Sequence, residues 1–203
     1  MMVFLFIAIS YMYHMHQIAQ SYVETKQEIY KALYNEFKDD LHKESWNASI
    51  DPETLTITFN APQVQFERNR ADLKESYKEV LQDFFPRYLR VLSKFKNEIE
   101  EIRIEGHTSS IWNNKVSDTI AYFKNMALSQ DRTRSVLEYV YQLPSTAPYR
   151  PWLKEHVAAV GFSSAHIIKD KDGNEDYNAS RRVSFRILTN AEASIKEILE
   201  SGQ

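Results

Sequence analysis

Apolar and polar positions alternate along the chain with periods that change from segment to segment, and each change predicts a new element. Residues 1–13 are nearly all apolar or aromatic, and His14-Met15-His16-Gln17 closes the run. Ile18, Tyr22, Thr25, Ile29, Leu33, Phe37 and Leu41 then recur every three or four positions among Glu24, Lys26, Gln27, Glu28, Lys31 and Lys38, the pattern of an amphipathic helix. Residues 46–50 and 55–59 flank Asp51-Pro52-Glu53-Thr54, and Leu55, Ile57 and Phe59 alternate with threonines, which predicts a hairpin. Residues 71–95 have helical spacing through Leu73, Tyr77, Val80, Leu81, Phe84, Phe85, Tyr88, Leu89 and Leu92, with Pro86 expected to kink or divide the helix. Residues 99–105 alternate with period two and run into Gly106-His107-Thr108, a strand expected to stop at a tight glycine turn. After a polar stretch, 109–124, with Trp112 and room for a short helix from Asp118, Ser129 reads as the N-cap of a second long helix. That helix carries Val136, Leu137, Val140 and Tyr141 and places Arg132 in its first turn. Residues 143–151 hold three prolines and read as a connector, 157–162 and 183–188 as strands, and 191–200 as a short closing helix. Strands interrupted by two long helices predict an α+β fold, helices on one face of a mixed sheet.

Composition narrows the function classes. At 203 residues the chain suits one domain plus an extension. A net charge of −3, with no basic stripe interleaved with aromatics, gives no reason to expect nucleic acid. The absence of cysteine removes disulfides and thiolate metal sites. The first 23 residues contain no Asp, Glu, Lys or Arg. Their apolar run is shorter than the roughly 20 residues of a span and lacks the basic start and cleavage site of a signal peptide. The preferred reading makes Met1 part of a transmembrane helix whose first half precedes it, and the rival reading is a complete short amphiphilic anchor. Residues 1–16 are thus read as the end of a span, 17–45 as a linker helix, 46–190 as the domain and 191–203 as a tail. The linker helix can pack on the domain or pair with its copy in a second chain, and a homodimer is expected.

Gly106-His107-Thr108, then Asn125-x-x-Leu128-Ser129-x-x-Arg132, then Ser180-Arg181-Arg182-Val183 resemble the OmpA-like peptidoglycan-binding domain, over roughly residues 46–188. Val64-Gln65-Phe66-Glu67 and Ala71-Asp72-Leu73 look like that family's opening strand and first helix. The resemblance implies a two-layer sandwich and a stem-peptide ligand, diaminopimelate, a zwitterion that needs a carboxylate for its ammonium and a guanidinium for its carboxylate. Arg132 matches the family's arginine, whose planar fork suits carboxylate, and a helix N-terminus beneath it would add positive potential. Asn125 and Leu128 match the motif as hydrogen-bond partner and packing surface. Thr108, Ser109, Ser129, Arg181 and Arg182 complete the implied peptidoglycan site, although the two late arginines can equally brace a strand. The family's usual aspartate after Gly-x-Thr is here Ser109, then Ser110, which removes a charge-assisted contact worth about 1.5–3 kcal/mol. A carboxylate from the insert, such as Asp118, could take its place.

Other motifs lead nowhere catalytic. Asn47-Ala-Ser and Asn178-Ala-Ser match a glycosylation triplet by chance. The glycine of the 170–176 loop lies too close to Asp170 for an EF-hand, so the loop reads as a polar turn. His107 has no second histidine at ligand spacing, and Gly161-Phe-Ser-Ser-Ala fails the nucleophile elbow. The chain is read as binding no metal or cofactor and as not an enzyme. The order of membrane helix, linker helix and OmpA-like domain also resembles the B subunits of ion-driven stators, flagellar ones included. The wording around residues 106–110 and 128–136 is most similar to the B component of Zorya anti-phage systems. The resemblance implies an inner-membrane protein with a single span, a periplasmic domain and a multi-span MotA/ZorA-like partner, the complex translocating protons or sodium ions. The ion-carrying aspartate of that family would lie upstream of Met1, since no acid precedes Glu24. A passive tether between membrane and wall, of the OmpA/Pal type, is the structural alternative.

Overall fold

A computed structural model describes residues 2–60, 65–67, 69–113 and 115–193. Helix α1, Met2–Phe37, is one unbroken rod of 36 residues. No helix among the described residues is long and apolar enough to cross a membrane. The first part of α1 exposes Val3, Phe4, Leu5, Phe6, Ile7 and Ile9, whereas Ile29, Leu33 and Phe37 are fully buried in the core. The amphipathic stripe therefore packs on the domain. The helix stops at Phe37, earlier than the sequence pattern suggested, and residues 38–46 form turns.

Strands β1 (Ala48–Asp51) and β2 (Thr56–Phe59) form the expected hairpin, closed by Asp51 Oδ1, which accepts from the Glu53 amide at 2.7 Å. Helix α2 spans Glu75–Leu92 and stays continuous through Pro86, so the proline does not divide it. It begins four residues later than its apolar pattern, because Leu73 pairs instead with Phe66 in an isolated bridge. That bridge is all the described part of 65–67 contributes to pairing, in place of an opening strand, and Val64 lies outside the described residues. Strand β3 (Ile99–His107) is followed by α3 (Asp118–Gln142), a 3-10 turn (Pro144–Tyr149), α4 (Arg150–His156), β4 (Val157–Gly161), the single turn α5 (Tyr177–Ser180) and β5 (Arg182–Thr189). The proline-rich connector is thus helical through most of its length. Of the closing helix, residues 191–193 are helical and the rest lies outside the described residues.

The five strands run in the order β1-β2-β5-β3-β4, with β3 and β4 parallel and the other pairs antiparallel. This is the mixed sheet of the expected α+β sandwich. Ile102, Ile104, Phe185, Ile187, Ile57 and Phe59 are buried beneath α2. Phe84 centres an aromatic cluster there, 5.0 Å from Phe185, 5.1 Å from Phe59 and 5.3 Å from Phe37 of α1. Alternate β3 residues carry charge instead: Arg103 pairs with Glu101 at 2.9 Å, and His107 faces Glu105 at 3.6 Å.

Candidate functional site

Two glycines set where α3 meets the sheet. A Cβ on Gly106 would lie 2.7 Å from Ser129 O, and one on Gly161 would lie 2.4 Å from the Gln130 amide nitrogen. Gly106 is therefore not a turn residue. The strand continues through it to His107, and the missing side chain lets α3 press its middle onto β3 and β4. Ser129 sits at that closest approach, fully buried. Its Oγ donates to Met126 O at 2.9 Å and accepts from the Ser163 amide at 3.1 Å. It is not an N-cap. The cap is Ser117, whose side chain accepts from the Ile120 amide, so the helix anticipated from Asp118 and the one anticipated from Ser129 are a single element. Arg132 consequently lies in the middle of α3, and no helix N-terminus stands beneath it.

From this contact Asn125, Leu128 and Arg132, spaced three and four apart, share one helical face. They line a cavity of about 520 Å³ with Thr108 and Ser109 from the end of β3, Phe66, Glu67 and Lys74 from the segment before α2, and Arg181 beside α5. Of the anticipated residues, Thr108, Ser109, Asn125, Leu128, Arg132 and Arg181 converge there. Ser129 and Arg182 do not. Arg182 points both Nη atoms at His166 O, each at 3.2 Å, and so braces the segment after β4.

Arg132 is held on three sides. Its Nε donates to Arg70 O at 2.9 Å, its Nη2 to Glu67 O at 3.3 Å, and its guanidinium lies 4.7 Å from the Phe66 ring centre. Among the described residues no carboxylate pairs with it. Burial, reinforced by the neighbouring Arg181 guanidinium, pulls its pKa down to about 10, which leaves it charged at neutral pH. Asn125 is buried, and its amide donates to Ser109 O at 3.0 Å, so it shapes the Thr108–Ser109 wall. The Thr108 hydroxyl is buried in that wall with no partner among the described residues.

Ser109 and Ser110 do not stand in for an acid themselves. Ser109 is buried, and its hydroxyl makes only a long 3.5 Å contact with Ile111 O. Ser110 instead holds a carboxylate: its amide donates to Glu175 at 2.9 Å and its hydroxyl to the same group. Asp118 lies at a separate cavity of about 540 Å³ with Ser110, Asn113 and Tyr122. Ile111 and Trp112 line both cavities and form a shared wall, with Lys124 5.4 Å from the Trp112 ring. The acid that does line the first cavity is Glu67, paired with Lys74 at 3.1 Å. Sequence reasoning passed over Phe66, Lys74, Tyr177 and Asn178. Phe66 was noticed only within the opening-strand motif and Asn178 only in a triplet set aside as chance, and the Asn178 Oδ1 accepts from Arg181 Nη2 at 2.6 Å.

His107 is buried and stacked on Phe162 at 5.3 Å, and burial lowers its pKa despite the facing Glu105.

The glycine-seated helix and the arginine cavity fall within residues 65–181, which match the OmpA family. The chain belongs to the OmpA family. A curated relative, the Zorya protein ZorB of Escherichia coli (strain ATCC 8739, Crooks), is 48% identical over 207 residues, covering 98% of this chain and 87% of its own length. Among solved structures, a MotB-like protein from Desulfovibrio vulgaris superposes with a TM-score of 0.57 at 18% identity, over 84% of this chain and 98% of its own. The cell wall anchor of the T6SS from Pseudomonas aeruginosa superposes with a TM-score of 0.51 at 16% identity, over 78% and 97%. At such identities these two likenesses concern the OmpA-type fold alone.

Proposed function

We propose that this chain is the wall-gripping B-type subunit of an inner-membrane stator of the Zorya type, its domain holding peptidoglycan stem peptide in the Arg132 cavity. One observation carries the reading: Arg132 is half-buried, charged, fixed by carbonyls and an aromatic face, and without a carboxylate among the described residues. A guanidinium so placed is complete only with an external acid. The identity to ZorB over nearly the whole chain supports the stator and anti-phage assignment, with a multi-span A-type subunit as partner. The charge-free start of α1, with its exposed Phe4, Phe6 and Ile7, supports insertion in the membrane next to that subunit.

The test is co-sedimentation of the full chain, in mild detergent, with purified sacculi. Replacing Asn125, Leu128 and Arg132 together by alanine is expected to abolish retention, and Arg132→Lys to leave an intermediate amount. Thermal melts report whether each variant is folded. A free diaminopimelate-containing tripeptide is expected to elute the wild type. Full retention by a folded triple variant, or no elution by the tripeptide, overturns the site.

A further inference from the structure

The ionic groups of the cavity do not balance. Lys74 and Glu67 pair with each other at 3.1 Å. That leaves Arg132 and Arg181, both lining the same space, and among the described residues neither pairs with a carboxylate. The two are close enough for the charge of Arg181 to act on Arg132. Carbonyls occupy the Nε and Nη2 donors of Arg132 on one edge, and its Nη1 makes no bond to any described residue. Asn178 fixes Arg181 through Nη2 at 2.6 Å, while the Arg181 Nε is buried without a partner among the described residues. Thr108 is 3% exposed, and its hydroxyl likewise has no partner among the described residues. A singly charged ligand answers one guanidinium and leaves the second, half-buried, beside a like charge, which is unfavourable.

We infer that the cavity takes a doubly anionic stem peptide, one free carboxylate on Arg132 and a second on Arg181, and rejects stems in which either carboxylate is amidated. The inference rests on the wall-binding reading above and specifies its ligand. In a diaminopimelate stem joined through the glutamate side chain and capped at its C-terminus, the glutamate α-carboxylate and the diaminopimelate side-chain carboxylate beside the free ammonium are the two free acids. Amidation of either keeps the shape and removes the charge. The ammonium of the diamino acid meets Glu67, the lining carboxylate, and not a residue following the glycine of β3.

Calorimetric titration of the full chain with three synthetic tripeptides, each blocked as an amide at its C-terminus, decides the matter: the glutamate α-carboxylate and the diaminopimelate side-chain carboxylate both free, the glutamate amidated, or the side-chain carboxylate amidated. Each mono-amide is expected to bind at least about tenfold more weakly than the di-acid, the loss of one charge-assisted contact. In Arg181→Gln, di-acid binding falls by a similar factor, and one mono-amide then binds as tightly as the di-acid while the other remains disfavoured. Mono-amides within twofold of the di-acid on the wild type overturn the inference and leave wall binding intact. Failure of all three peptides to bind overturns the wall reading and this inference with it.

Discussion

At Gly161 a single methyl would meet the Gln130 amide nitrogen at 2.4 Å, Gln130 Cγ at 2.6 Å and Ser129 Oγ at 2.7 Å. The nearest of these, the Gln130 amide nitrogen, is backbone of the helix and cannot yield as a flexible side-chain end would, so α3 must lift. The lift carries Asn125, Leu128 and Arg132 with it, because they share its rigid face. Gly161→Ala is therefore expected to cost about 1–3 kcal/mol by overpacking, a fall in Tm of about 2–4 °C for each kcal/mol. Its retention on sacculi should fall as well. Gly173→Ala is the control, since Gly173 has φ +85° and nothing within 4 Å of an added Cβ. There the cost is backbone strain of about 1 kcal/mol, read as a lower Tm with retention unchanged. Equal losses of retention in both variants would show that the helix seat does not position the site.

At the level of elements, α1 is fastened to α2 through Arg87. Its Nε donates to Glu36 at 2.8 Å, its Nη2 to Asp40 at 2.8 Å and to Glu36 O at 2.7 Å, over the Phe37 ring at 4.9 Å. Arg87→Ala leaves Glu36 to Arg90 and Asp40 to Lys43, removes the link between the two acids, and is expected to cost about 1–2 kcal/mol, seen as faster amide exchange in residues 29–41. Hydrogen bonds from Arg87 hold the Glu36 carboxyl below its ordinary range. Burial pushes the Asp40 carboxyl up, but Lys43 and Arg87 outweigh it and bring it down. Depressed folded pKa values mean that the fold binds fewer protons than the unfolded chain, so this stabilisation is full above the ordinary values of 4.5 and 3.8 and is lost as pH falls below them. Unfolding followed from pH 6 to 3 should show the loss in the wild type and a smaller loss in Arg87→Ala, where Arg90 and Lys43 still lower the two carboxyls. Some of this architecture was legible in the sequence: the Leu55, Ile57, Phe59 alternation, the strands at 157 and 183, and the stripe through Ile29, Leu33 and Phe37. A helix from Asp118 was legible too, but not its continuity through Ser129, because Ile120 and Phe123 are exposed and the buried periodicity strengthens only where the helix reaches the sheet. Gly106 was noticed for the wrong reason, since the demand on it comes from a helix twenty residues away and not from its own φ. The cavity unites four distant segments, so motif spacing could mark Asn125, Leu128 and Arg132 but not Phe66 beneath the guanidinium.

For the whole molecule, the decisive feature is that α1 runs without a break from its exposed apolar start to the residues buried in the domain core. Thirty-six residues at 1.5 Å each make a rod of about 54 Å, and the part from Ile29 onward is built into the domain. On the proposed reading, a rod clamped at one end fixes the direction from cavity to lipid, so that force on a bound wall peptide would pass to the start of α1 without a hinge. A passive flexible tether does not need this arrangement. A molecule holding both ends should bridge two surfaces: lipid vesicles should sediment with sacculi in its presence and not without it. Replacing Phe4, Phe6 and Ile7 by serine should leave the protein on the sacculi and release the vesicles. The alanine triple at Asn125, Leu128 and Arg132 should leave it on the vesicles and free of the wall. Inserting three glycines at residue 22 should preserve both attachments, so bridging persists, while electron micrographs of the bridged samples show the membrane-to-wall spacing broaden. Unchanged spacing after the insertion would mean that the continuous helix does not set the distance between wall and membrane.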